Sequence, residues 1–160
     1  MLSDATLSLA AKVVESLRAR GLRVVTAESC TGGLIAAALT HVAGSSDVVE
    51  GGFVTYSNIL KETVLDVSTR SLAKCGAVSE AVAVEMAMGA LTAAENARIS
   101  VAVTGIAGPD GGSVEKPVGT VCLARQFGDG TPYVETKLFQ GDRAAVRAAT
   151  VQRALELLFE

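Results

Sequence analysis

The stretch "RISVAVTG", residues 98–105, sets an almost unbroken apolar run between a long alanine-rich segment and one rich in glycine and proline. A strand with one wet face alternates polar and apolar residues, whereas a continuous apolar run marks a strand covered on both faces. The chain must therefore supply helices for two sides of a sheet. Helical spacing recurs in residues 5–19, with Leu7, Ala10, Val13, Val14 and Leu17 on one face. It recurs in 31–42 with Ile35, Ala38, Leu39 and Val42, in "NILKETVLDV", and in 77–96 with Ser79 as N-cap. A last helix, capped by Asp142, aligns Ala144, Ala148, Val151, Leu155 and Leu158. Strands are expected at "LRVVTA", "FVTYS", "TVCLARQF" and "YVETKLFQ", the last two forming a hairpin around "GDGTP". "GSSDVVEGG" reads as a turn with room for one helical turn in it, and "IAGPDGGSVEKPVG" as a loop. Helix and strand alternate before a closing hairpin. The expectation is an α/β fold: a three-layer α/β/α sandwich with a mixed sheet, in a single domain over residues 1–160.

Composition narrows the function. Aromatic residues make up 4% of the 160 and tryptophan is absent, so alanine, valine and leucine must build closely packed layers. Net charge is −3 without a lysine or arginine run, which speaks against a broad grip on nucleic acid. No uncharged apolar stretch approaches the roughly 18 residues of a membrane span, and the N-terminus lacks a signal peptide's apolar centre. Cys30, Cys75 and Cys122 show no CxxC spacing, and His41 stands alone, so no metal site of ordinary zinc make-up is expected. Three unpaired thiols suit a reducing cytoplasm.

Chemistry concentrates at "AESCTGG", residues 27–33, where a strand gives way to a helix. Such a turn can expose a nucleophile beside helix N-terminal N–H groups that stabilise an anion. The same residues also suit a plain helix start, with Ser29 or Thr31 as cap and Gly32 and Gly33 allowing tight packing. Serine needs a base. His41 lies mid-helix, and the other route is a lysine of lowered pKa, for which Lys61, after "VTYSNIL", is the candidate. An ordinary solvated lysine fits that position as well. Tyr56 could relay a proton or pack, and Cys30 is a rival nucleophile or a small buried residue. "TGIAGPDGG", residues 104–112, could cradle a phosphate, though it is neither a Walker A nor a GxGxxG motif. Arg143 falls in the first turn of a helix, where the dipole disfavours a cation unless it meets an anion or a surface carboxylate.

In this order, "AESCTGG", "GSSDVVEGGFVTYSNILK", "GAVSE", "TGIAGPDGG", "KPVGTV" and "GDR" resemble the CinA C-terminal domain family over essentially the whole chain. The resemblance implies an amidohydrolase that converts nicotinamide mononucleotide and water to nicotinate mononucleotide and ammonia, with no cofactor and no metal. It places the nucleophile at Ser29 and the base at Lys61, with Tyr56 close by. Oxyanion donors would come from the Cys30, Thr31, Gly32 and Gly33 turn. The 5′-phosphate would meet Arg143 and the Thr104–Gly105 loop. Ribose and pyridine contacts would come from Thr55, Asn58 and the loop from Gly108 to Gly111. The expected partners are the small-molecule substrate and further copies of the chain, as a homodimer or higher homo-oligomer. Longer family members carry an extra N-terminal domain, and what belongs to that domain is not transferred. Two other readings compete: a pyridine-nucleotide-binding module without turnover, and a hydrolase of another small amide.

Overall fold

The computed structural model describes residues 2–159. Five strands, β1 (Val24–Glu28), β2 (Val49–Val54), β3 (Ile99–Gly105), β4 (Thr120–Phe127) and β5 (Tyr133–Leu138), form one sheet in the order β2-β1-β3-β4-β5. β2, β1 and β3 run parallel, and the β4–β5 hairpin adds two antiparallel strands to the β3 edge. The sheet is thus mixed, as expected.

Helices cover both faces. α1 (Asp4–Ala19), α2 (Leu34–Thr40) and α6 (Arg143–Phe159) pack on the face of Val24, Val101, Val103, Val121 and Leu123. α5 (Glu80–Ala93) lies on the other face, with α3 (Asn58–Leu65) and α4 (Thr69–Cys75) beside it. There Ala83, Ala87 and Ala90 meet Ala27, Ala102 and Ala124. Small residues on both sides let this helix approach the sheet closely, which is how a core poor in aromatics reaches native packing density. β3, which faces both layers, is buried along its length except at Gly105.

Several boundaries differ from expectation, each for a local reason. β2 spans Val49–Val54, earlier than "FVTYS", because Gly51 and Gly52 belong to the strand instead of a turn. A Cβ on Gly52 would lie 2.6 Å from Thr26 Oγ1 and 3.0 Å from the Ala36 Cβ, so glycine here serves the contact between β2, β1 and α2. α2 is shorter than residues 31–42 because the turn consumes its first residues. α4 was not foreseen: it buries no residue and so carries no apolar stripe, and Ser68 caps it by accepting from Arg70 N and Ser71 N. In α6, Val151, Leu155 and Leu158 are buried, but Ala144 and Ala148 are exposed and Val146, Thr150, Ala154 and Leu157 take their place in the core. Asp142 does cap this helix, accepting from Ala145 N at 2.9 Å, as Ser79 caps α5 through Val82 N.

The topology selects one end of the sheet. From β1 the chain crosses to β2 through α2 on one face, then passes back to β3 through α3, α4 and α5 on the other. The two connections leave the adjacent C-terminal ends of β1 and β2 toward opposite faces, and open α/β sheets leave a crevice for ligands at such a point.

Candidate active site

The turn at that point is organised by Glu28, the last residue of β1 and fully buried. Its Oε2 accepts from Thr31 Oγ1 at 2.6 Å, Gly33 N at 3.0 Å and Ile35 N at 3.0 Å, while Oε1 accepts from Ala36 N at 2.8 Å and Thr26 Oγ1 at 3.2 Å. A buried carboxylate therefore satisfies the first N–H groups of α2 and complements its dipole. Neither Ser29 nor Thr31 is the cap: the N-cap residue is Gly33, at φ 96°, preceded by Gly32 at φ 62°. Two successive left-handed residues reverse the chain so that the carboxylate lies beneath the helix start, a conformation only glycine adopts without strain. Glu28→Gln, which turns an acceptor into a donor facing N–H groups, is expected to cost about 2–3 kcal/mol. For a chain of this size the melting temperature should fall on the order of 5–10 °C in a thermal scan.

With the turn held from below, Ser29 is left at the surface of a cleft. Its N–H donates to Val103 O at 3.0 Å, fixing it against β3, and its residue is 8% exposed. Lys61 reaches it from the first half of α3, whose N-cap Ser57 accepts from Leu60 N. The Lys61 Nζ lies 3.1 Å from Ser29 Oγ, 2.9 Å from Thr55 O and 3.4 Å from Tyr56 O. At 1% exposure Lys61 is among the largest fully buried side chains, and no carboxylate pairs with it among the described residues. Burial lowers its pKa from the usual 10.5, against a smaller upward pull from Cys30. A neutral amine has two N–H donors and one lone pair. Two carbonyls and one serine hydroxyl, which accepts from an ammonium and donates to a neutral amine, suit that inventory and an ammonium's three donors alike.

The rivals fare differently. Cys30 is buried, and loss of solvent pushes its thiol up to about 11, with the Glu28 carboxylate adding to the rise. A thiol that far above neutral pH supplies little thiolate. His41 is exposed at the far end of α2, away from the cleft.

The cleft encloses about 210 Å³. Of the residues singled out in the sequence, Ser29, Cys30, Tyr56, Asn58, Lys61, Thr104, Gly105 and Arg143 line it. Thr31, Gly32 and Gly33 instead build the turn behind it. Thr55 is buried below, donating its N–H to Glu28 O and receiving Lys61 on its carbonyl. Gly108 serves through its carbonyl, which accepts from Arg143 Nη1 at 2.9 Å, and Gly111 lies on the exposed part of the loop. The Tyr56 hydroxyl accepts from Arg143 Nη2 at 3.0 Å, so the ring points to the rim and the backbone carbonyl to Lys61. Arg143 makes no ion pair among the described residues. Thr104 Oγ1 is tied to Ala77 O at 2.8 Å.

Two parts of the wall escaped sequence reasoning. Ala77 and Val78 line the cleft, and Lys116 pins them by donating from Nζ to Cys75 O at 2.8 Å and Val78 O at 2.7 Å. Both lie inside quoted motifs, "GAVSE" and "KPVGTV", but a contact across forty residues leaves no local pattern. A larger groove of about 320 Å³, between α3 and α5, holds Val64, Met88 and Thr92 with Asp66 and Glu85. Glu85 there is occupied with Ser68 N and Ser71 Oγ, and no serine, cysteine, lysine or histidine lines the groove.

Residues 6–160 match the CinA C-terminal domain. The chain belongs to the CinA C-terminal domain family. The nicotinamide-nucleotide amidohydrolase PncC of Escherichia coli K12 is 49% identical over 160 residues, covering all of this chain and 96% of that protein. The PncC of Pseudomonas putida is 51% identical over 158 residues, covering 98% and 97%. Among solved structures, the competence/damage inducible protein CihA from Agrobacterium tumefaciens superposes with a TM-score of 0.95. It shares 48% identity and covers 99% of this chain and 96% of that one. The three-layer sandwich is therefore the family fold.

Proposed function

We propose that this member of the CinA C-terminal domain family is a nicotinamide-nucleotide amidase. It hydrolyses the carboxamide of nicotinamide mononucleotide to nicotinate mononucleotide and ammonia. The observation that carries the reading is the buried Lys61 amine 3.1 Å from Ser29 Oγ. Burying an amine without a carboxylate costs stability. A serine that needs a base is the use for one. Relatives named for this activity, about half identical along their whole length, support the choice of substrate.

With Thr55 O and Tyr56 O occupying its two N–H groups, neutral Lys61 points its lone pair at Ser29 and accepts the hydroxyl proton. Ser29 Oγ bonds to the carboxamide carbon. In the turn, Gly32 N is spent on Ser29 O and Gly33 N on Glu28, whereas the N–H groups of Cys30 and Thr31 meet no carbonyl or carboxylate among the described residues. Those two are the oxyanion donors. Collapse of the tetrahedral species breaks the C–N bond, and the proton on Lys61 passes to the departing nitrogen to give ammonia. Water, deprotonated by the same lysine, then cleaves the acyl-serine. Arg143, fixed by Gly108 O and the Tyr56 hydroxyl, receives the 5′-phosphate, so Tyr56 acts by positioning. Asn58 and Thr104 flank the sugar and ring. No step requires a metal or cofactor, and among the described residues no group of three or more His, Cys, Asp or Glu could hold a metal ion.

We place the enzyme in the cytoplasm, where its three free thiols are stable. No helix among the described residues is long and apolar enough to cross a membrane. The exposed Val54, Ile59, Leu60 and Val64 along β2 and α3 support a homo-oligomer. The test is ammonia release from nicotinamide mononucleotide compared with nicotinamide riboside. Turnover of the nucleotide, with kcat/KM lower by roughly 100-fold or more for the phosphate-free riboside, is expected from loss of a charge-assisted contact. Equal rates would mean a hydrolase of small amides in general. Binding without ammonia release would mean a sensor.

A further inference from the structure

Arg147 lies one helical turn after Arg143 on α6 and was not among the residues singled out in the sequence. Its Nη2 donates to Thr31 O at 2.9 Å, its Nε is buried without an acceptor, and it forms no ion pair among the described residues. A half-buried guanidinium is thus directed at one carbonyl of the turn, behind the cleft and not within it.

From that carbonyl a chain of peptide groups leads back to Ser29. Thr31 C=O shares its peptide plane with Gly32 N–H, which donates to Ser29 O at 3.1 Å. Ser29 C=O shares its plane with Cys30 N–H, one of the two N–H groups that meet no carbonyl or carboxylate among the described residues. Hydrogen bonds in series polarise one another, roughly 10–30% per bond in condensed-phase estimates. A cation at the head of the series therefore strengthens the donor at its tail. The turn also holds the buried Glu28 carboxylate, which opposes any negative charge forming nearby. Both charges act at Cys30: beyond the dominant effect of burial, Glu28 raises the thiol pKa and Arg147 lowers it.

We propose that Arg147 is a positioning residue of the amidase reaction: through the Thr31–Gly32 and Ser29–Cys30 peptides it polarises the Cys30 N–H toward the oxyanion and offsets the field of Glu28. The inference rests on the serine amidase reading given above. It makes no contact with substrate and no contribution to ground-state binding, so its effect belongs to kcat.

Arg147→Gln is expected to lower kcat for ammonia release by about 10- to 100-fold, less than the loss of an entire oxyanion donor. KM should stay within about twofold. Arg147→Lys, which keeps the charge, should recover most of the rate. In amide proton NMR spectra of the substrate-free protein, the Gly32 and Cys30 signals should move upfield in Arg147→Gln and return toward wild type in Arg147→Lys. The amide shifts separate this inference from the functional reading: a wild type without amidase activity sinks the latter, while unchanged shifts in Arg147→Gln sink the former. Unchanged kcat in an active enzyme, or a loss carried by KM, also overturns it. If Arg147→Gln does not fold, Arg147→Lys decides: near-wild-type kcat and shifts are expected, and a loss as large as that predicted for Gln would refute the role of charge.

Discussion

Ser29→Ala is expected to abolish ammonia release from nicotinamide mononucleotide, with kcat falling on the order of 10⁴-fold or more. In the proposed mechanism the hydroxyl bonds to the carboxamide carbon, and no neighbour is placed to replace it. Water in the vacated space would lack the alignment given by Ser29 N–H on Val103 O. Cys30 cannot substitute, because its buried thiol sits near 11. Cys30→Ala should therefore keep activity within a few-fold, since the proposed mechanism uses its N–H and not its thiol. The comparison is decisive when both variants show wild-type circular dichroism. A dead Cys30→Ala beside an active Ser29→Ala would replace the serine mechanism with a thiol one.

Lys61→Met carries the second large effect, a loss of about 10³-fold within the range of general acid–base catalysis. Lys61→Arg should not rescue it, because guanidinium stays protonated at any working pH. The wild-type pH profile follows from the direction of the shift. Only neutral Lys61 can accept the serine proton, and burial lowers its pKa from 10.5. The rate should rise with pH and level off at a midpoint below that value, and Lys61→Met should lack this limb. Stability carries the same sign. Below the folded-state pKa both folded and unfolded chains hold the proton, and the fold bears the full cost of burying an ammonium. Between that value and 10.5 the unfolded chain binds more protons, so stability rises with pH through the window. Denaturant titrations of wild type and Lys61→Met across that window should diverge in this sense. A flat rate profile would sink the lysine base.

The contrast between these residues explains what could be read in advance. The covering of β3 on both faces was legible because burial on two sides leaves a continuous apolar run, and the caps at Ser79 and Asp142 were legible because capping is local. Of the two readings open for the turn before α2, the plain cap by Ser29 or Thr31 is not the one found, since the helix's first N–H groups are satisfied by the Glu28 carboxylate at the end of the preceding strand. Arg147 escaped altogether. Its partner, the Thr31 carbonyl, is 116 residues away in the chain.

The sequence by itself determined the layered α/β architecture, the strand-to-helix turn that carries Ser29 and, through its ordered motifs, the family. Periodicity and turn chemistry act over a few residues, so they are written locally. Only the tertiary structure decided that Lys61 is buried against Ser29 without a carboxylate, that Tyr56 turns its ring to Arg143, and that Glu28 and Arg147 hold the turn from beneath. Each of these depends on which segments the β2-β1-β3 order brings to the end of β1. Solvent exclusion, which sets the charge state of a lysine, is a property of that assembly and not of its neighbours in the chain.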